Sequence, residues 1–193
     1  MYIHPIRLTG VWTDGAALDK HTLSSTYIGQ DENGHDRYDN TYSEVGSLVK
    51  RLKYRQEYSV VDELACVASY FIKEIWKIHV DLIVPVPPTK IRNVQPVFLI
   101  VKKIGEYLNI PVCTDFFTKH STTESKSLTA EEKRQLLGVK IKRNKILTYK
   151  ENVLIIDDLF DSGATLTAVC NEFKKDPNLN NVYVLTMTKT RKV

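Results

Sequence analysis

Residues 153–166 read VLIIDDLFDSGATL. The run Val153 to Ile156 is apolar and rich in β-branched residues, the composition of a strand covered on both faces of a parallel sheet. Asp157 and Asp158 follow directly, then Leu159 and Phe160. The small residues of Asp161 to Thr165 lead into a helical stretch from about Thr165 to Lys174. In open α/β sheets, ligands sit beyond the carboxyl ends of the strands, so both aspartates occupy a contact position. Amides at a helix start are unpaired and carry the positive end of the helix dipole, and Gly163 lets an anion approach them closely. Ser162 and Thr165 add hydroxyl donors, while adjacent carboxylates accept from a pair of neighbouring hydroxyls such as those of a ribose. The combination suits a ribose 5-phosphate.

Working outward, strands and helices alternate. Val60, Leu64, Val67, Phe71, Ile72 and Ile75 recur at helical spacing behind a Ser59-x-x-Asp62 start that can cap the first amides. Asp81 to Pro87 reads as a short buried strand ending in a proline turn. Gln95 to Leu108 is again helical in period, and Ile110 to Cys113 returns as a strand, which makes a crossover unit. Thr118 to Ser127 is polar, Thr129 to Leu137 reads as a helix capped by Thr129 and Glu132, and Asn181 to Thr188 is a closing strand. The first 45 residues carry short extended pieces, Ile6 to Trp12 and Thr26 to Gly29, among AspGly and AsnGly turn signals. The expectation is an α/β fold with a mostly parallel, doubly wound sheet flanked by helices and a small N-terminal β hood. It forms a single domain over residues 1–193, with the hood or hairpin in 1–45 and the α/β core in 46–193.

Composition narrows the classes. A chain of 193 residues that is 42% hydrophobic can bury a core without disulfides or metal. No apolar run reaches the roughly 20 residues of a membrane span, and the start has no signal-peptide pattern, so the expected location is cytoplasmic and no membrane contact is expected. Cys66, Cys113 and Cys170 are widely spaced in or beside apolar stretches and read as core thiols; the Cys-x-x-Cys pairs of a zinc ribbon are absent. A net charge of +4, from 27 basic and 23 acidic residues, is too mild to argue for direct nucleic-acid binding. Asp19, His21, His35, Asp36 and Asp39 lack ligand spacing and read as structural.

With these residues in place, Val153 to Leu166 resembles the signature by which type I phosphoribosyltransferases bind 5-phosphoribosyl 1-pyrophosphate (PRPP). A haloacid-dehalogenase-type reading of the same strand end fails, because it needs Asp-x-Asp and Asp158 and Asp161 stand too far apart. A wider similarity reaches the branch of competence protein F (ComF), through Val84 to Pro87, Leu52 to Arg55, and Ser127 to Arg134. This chain departs from that branch in lacking its zinc ribbon and in carrying Arg92-Asn93 for ArgGly. Lys133 and Leu136 stand where the branch has Arg and Asn.

The resemblance implies an enzyme, a glycosyltransferase that passes ribose 5-phosphate to an unidentified nitrogen nucleophile and releases pyrophosphate, with Mg²⁺ brought in through PRPP. It places Asp157 and Asp158 on the ribose hydroxyls as catalytic residues, and Asp161, Ser162, Gly163, Ala164 and Thr165 around the 5-phosphate. Pro88, Thr89, Lys90 and Arg92, with Lys126, either hold the pyrophosphate or form a solvated basic turn and loop. Lys53, Tyr54 and Arg55 either reach a phosphate or form a cationic helix face. A PRPP-binding regulator or adaptor without turnover, linked to DNA uptake, is the alternative. Homo-oligomerisation is left open.

Overall fold

The computed structural model describes residues 1–88, 92–120 and 140–191. Its central sheet has five strands, β1 (Ile6–Arg7), β2 (Asp14–Lys20), β5 (Leu82–Pro85), β8 (Glu151–Phe160) and β9 (Leu179–Lys189), in the order β1-β2-β9-β8-β5. Only the short edge strand β1 runs antiparallel; β2, β9, β8 and β5 are mutually parallel. Beyond β5, the expected strand at 110–113 contributes a single parallel bridge, Ile83 with Val112. Two small two-stranded sheets complete the β structure of the described residues: β3 (Thr22–Gln30) with β4 (Asp36–Tyr42), and β6 (Phe117–His120) with β7 (Lys140–Arg143).

Four α-helices cover the sheet among the described residues: α1 (Glu44–Arg55), α2 (Val61–Tyr70), α3 (Pro96–Leu108) and α4 (Ala164–Phe173). The side chains of β8 alternate between two apolar layers. Leu154 and Ile156 pack with α1, α2 and α3; Val153 and Ile155 pack with α4 and the phenylalanines Phe116, Phe117 and Phe173. Phe173 lies with its ring centroid 4.7 Å from Phe116 and 4.8 Å from Phe117. A fully buried aromatic of this kind contributes about 3 kcal/mol through the water it sheds.

Several elements differ from the sequence reading. The region 1–45 divides: β1 and β2 extend the main sheet, and only β3 and β4 stand apart as a hairpin. Alanine is a weak strand former, so DGAALDK carries little strand signal; Ala16, Ala17 and Leu18 are nonetheless buried within the sheet. Helix α1 has a clear cap, with Ser43 Oγ accepting from the Gly46 amide at 2.9 Å, and it buries Val45, Leu48, Val49 and Leu52. The Ser59 cap does not form. Val60 precedes α2 after a 3₁₀ turn, and the helix runs on through a π-helical turn, Phe71–Trp76. Cys66 is exposed and Cys113 half-buried, so only Cys170 is a core thiol, its pKa pushed up to about 12 by burial. The expected helix at Thr129 to Leu137 lies outside the described residues.

Strand β8 also runs two residues past the aspartate pair, since Leu159 and Phe160 still pair with Thr188 and Lys189 of β9. Its other neighbour ends earlier, with Pro85 opposite Ile156. Among the described residues, Asp157 and Asp158 therefore lie within a strand paired on one side and open on the other.

Candidate functional site

The connections from β5 and β8 leave on opposite faces of the sheet. After β5 the chain reaches α3, which packs in the same layer as Leu154, whereas after β8 it enters α4, which packs in the layer of Val153. A reversal of this kind opens a crevice between the two strand ends. A cleft of about 490 Å³ lies there, lined by Asp157, Asp158, Lys53, Arg92, Lys119 and Thr165. Pro88 lines it too, beside Val86 and Pro87 at the end of β5. A second cleft of about 490 Å³ adjoins it through Lys53, Arg92 and Pro96.

The two aspartates face different layers. Asp158 turns toward α1, where Lys53 Nζ sits 3.0 Å from its carboxylate, with side-chain exposures of 25% for Lys53 and 16% for Asp158. Asp157 turns toward α4 and keeps an accessible edge on the cleft. Its Oδ1 accepts from the Asp158 amide at 2.8 Å. The packing around Asp157, and then the charge of Asp158, push its carboxyl up to about 7; the amide bond and Lys53 oppose the shift without cancelling it. Across the β8–β9 pair from Asp157 stands Thr186, whose buried hydroxyl has no hydrogen-bond partner among the described residues.

The turn into α4 has one conformationally demanding residue. Gly163, at the N-cap, has φ +75°, and a Cβ there would lie 2.8 and 2.9 Å from two carbons of the Phe160 ring. Left-handed backbone and lack of space both require glycine. Being glycine, it offers no capping side chain, and the Ala164 amide reaches only Ser162 Oγ at 3.3 Å. The first turn of α4 thus presents its amides on the exposed side of the loop. Thr165 Oγ1 accepts from Lys119 Nζ at 3.3 Å, which ties β6 to this turn. Asp161 is exposed and accepts from Thr190 Oγ1 at 3.0 Å.

Of the residues singled out from sequence, Asp157, Asp158, Thr165, Pro88 and Arg92 meet on the one cleft, and Asp161, Ser162, Gly163 and Ala164 form the loop at its end. Thr89, Lys90 and Lys126 lie outside the described residues. Lys53 had two equal readings, and the structure pairs it with Asp158. His21, structural by its sequence context, sits beside this site. Its Nδ1 lies 3.0 Å from Thr188 Oγ1, which itself donates to the Asp158 carbonyl oxygen at 3.2 Å. Burial, then the nearby Lys53, hold the His21 imidazole below its usual range. Its place was hidden from sequence because β2 reaches β9 only through long-range parallel pairing.

No protein-family model and no curated protein sequence matches this chain. Solved structures similar to it include a hypothetical protein from Neisseria gonorrhoeae with bound ppGpp, at 16% identity and TM-score 0.45, covering 72% of this chain and 70% of that one. An adenine phosphoribosyltransferase is 11% identical at TM-score 0.44, with 86% of each chain covered. A purine phosphoribosyltransferase from Pyrococcus horikoshii is 18% identical at TM-score 0.44, covering 70% of this chain and 80% of that one. No helix among the described residues is long and apolar enough to cross a membrane.

Proposed function

We propose that this chain is a type I phosphoribosyltransferase that binds PRPP and transfers ribose 5-phosphate to a nitrogen nucleophile, releasing pyrophosphate. The observation that carries the reading is the sharing of one cleft by the Asp157–Asp158 pair and the glycine-opened start of α4. The amides of Gly163 to Thr165, with the Ser162 and Thr165 hydroxyls, suit the 5-phosphate. Asp157 and Asp158 suit the ribose hydroxyls, which donate to the carboxylates and fix the sugar. In the transfer, the nucleophile's nitrogen bonds to the anomeric carbon as the bond from that carbon to the pyrophosphate oxygen breaks. The ring gains positive charge on the way, and carboxylates held in a shielded cleft stabilise it.

Lys53, Arg92 and Lys119 line the same cleft and favour a polyanionic substrate. Mg²⁺ would enter with PRPP, and Asp157 and Asp158 stand where their carboxylates would help hold it. When bound, that ion would screen the pyrophosphate charge. The ComF branch, the acceptor and a cytoplasmic location remain part of the same proposal.

The test is calorimetric titration with PRPP in the presence of Mg²⁺, alongside pyrophosphate release with purine, pyrimidine and amine acceptors. Binding that is lost in Asp157→Asn/Asp158→Asn, with release in at least one mixture, is the expected result. No binding, or binding unchanged in the double variant, refutes the ligand. Binding without release from any acceptor refutes the transfer.

A further inference from the structure

Among the described residues, the hairpin of β3 and β4 is sparsely covered. Leu23 to Ile28 on β3 and Asp36 to Asp39 on β4 are all exposed, although an isolated two-stranded hairpin is marginal in water. The two strands make a sheet of their own, so each presents one edge that no other strand pairs among the described residues. Unpaired edges of this length invite another strand. The two edges are not equivalent. On β3 the Leu23 carbonyl already accepts from the Arg191 guanidinium at 3.0 Å. On β4 the sequence DRYDNTY carries charges that complement themselves.

Consider two copies of β4 laid antiparallel about a two-fold axis normal to the sheet. Opposed side chains must share a face, so the axis passes through a residue pair and not between pairs. Centred on Tyr38, the register sets Arg37 of each copy against Asp39 of the other, and Asp36 against Asn40. Moving the axis one residue either way opposes Arg37 to Arg37 or Asp39 to Asp39, which is unfavourable. Charge therefore selects the Tyr38 register. Within the hairpin Tyr38 pairs with Tyr27, the ring centroids 5.6 Å apart. The two-fold would line up four tyrosines across one face, an apolar surface that each hairpin alone leaves in water.

From this we infer that the outer edge of β4 is a homodimerisation edge, at which two copies of this chain form a four-stranded sheet in the order β3-β4-β4-β3. The interface is isologous and closed, so it stops at two copies. The inference is independent of the PRPP reading.

Sedimentation velocity on the full chain tests it, with a dimer expected at micromolar concentration. Arg37→Asp and Asp39→Arg each place two like-charge pairs across the axis. Each should raise the dimer dissociation constant at least about tenfold. The double exchange Arg37→Asp/Asp39→Arg should restore the dimer. Separately, Tyr38→Cys should give a disulfide-linked dimer on mild oxidation, since directly opposed strand residues have Cα atoms about 4.5–5.5 Å apart, within disulfide reach. Circular dichroism verifies that each variant is folded. A monomeric unmodified chain, single variants that stay dimeric, or a double exchange that stays monomeric overturns the inference.

Discussion

Replacing Asp157 with asparagine should make this protein more stable at neutral and alkaline pH, the reverse of the usual effect of removing a buried polar contact. Burial and the neighbouring Asp158 charge push the Asp157 carboxyl up to about 7 in the folded chain, from an ordinary value of 3.8. Its folded pKa is raised, so the unfolded chain binds fewer protons between these values and stability falls as pH rises through the window. The contribution is fully present below the unfolded value and lost above about 7. A shift from 3.8 to about 7 corresponds to at most about 4 kcal/mol, at roughly 1.4 kcal/mol per unit. Solvent reaching the carboxyl through the cleft lowers that ceiling. Asparagine cannot ionise, so its advantage over aspartate should grow between pH 5 and pH 8 by up to about 3 kcal/mol. With a urea slope of about 2 kcal/mol per molar, the gain is a midpoint difference of up to about 1.5 M. Urea unfolding of both proteins at the two pH values measures it. An advantage that is equal at pH 5 and pH 8, or that shrinks, refutes the reasoning, because a lost contact or a repacking effect would not follow the titration.

Two further predictions address the same cleft. Lys53→Met removes the partner of a carboxylate that is only 16% exposed, leaving Asp158 charged and unpaired. It should cost about 3 kcal/mol by urea unfolding and raise the pKa of Asp157 further, whereas a loss under about 1 kcal/mol would mark the pair as a surface contact. Gly163→Ala combines left-handed backbone with a Cβ 2.8 Å from the Phe160 ring. A destabilisation of about 2–4 kcal/mol in thermal or urea unfolding is expected, together with weaker phosphate binding, and an unchanged midpoint would show that the loop relaxes without penalty.

The parts of the fold that sequence discloses are those whose signals are local. Strand β8 and the glycine turn after it are legible because apolar run, carboxylates and small residues follow one another in a single stretch. Helix α3 is legible through its apolar period and the proline at its start. Helix α1 is obscured because its apolar stripe is interrupted by Gly46 and crowded by Lys50, Arg51, Lys53 and Arg55. Gly46 is there for a reason invisible locally: a Cβ would lie 2.1 Å from the His21 carbonyl oxygen. Likewise Lys53 acquires its place only when α1 packs against the face of β8 that carries Asp158, a partner 105 positions away. Sequence spacing gives no access to such pairings.

The ring of Phe160 that fills the space beside Gly163 also meets Trp12 edge-on, with centroids 6.3 Å apart. Trp12 is 8% exposed, and its indole Nε1 donates to the Leu8 carbonyl at 2.8 Å, so the ring is fixed in place. Trp76, in the other apolar layer, is held by Asp14. Indole emission responds to the packing and polarity of its surroundings, so the chain carries its own optical gauge of the turn at Asp161 to Thr165. Trp12 senses Phe160 and the loop, and Trp76 serves as the internal reference. If phosphate binds as proposed, its arrival at this turn should be readable as a change in ultraviolet fluorescence with no label attached.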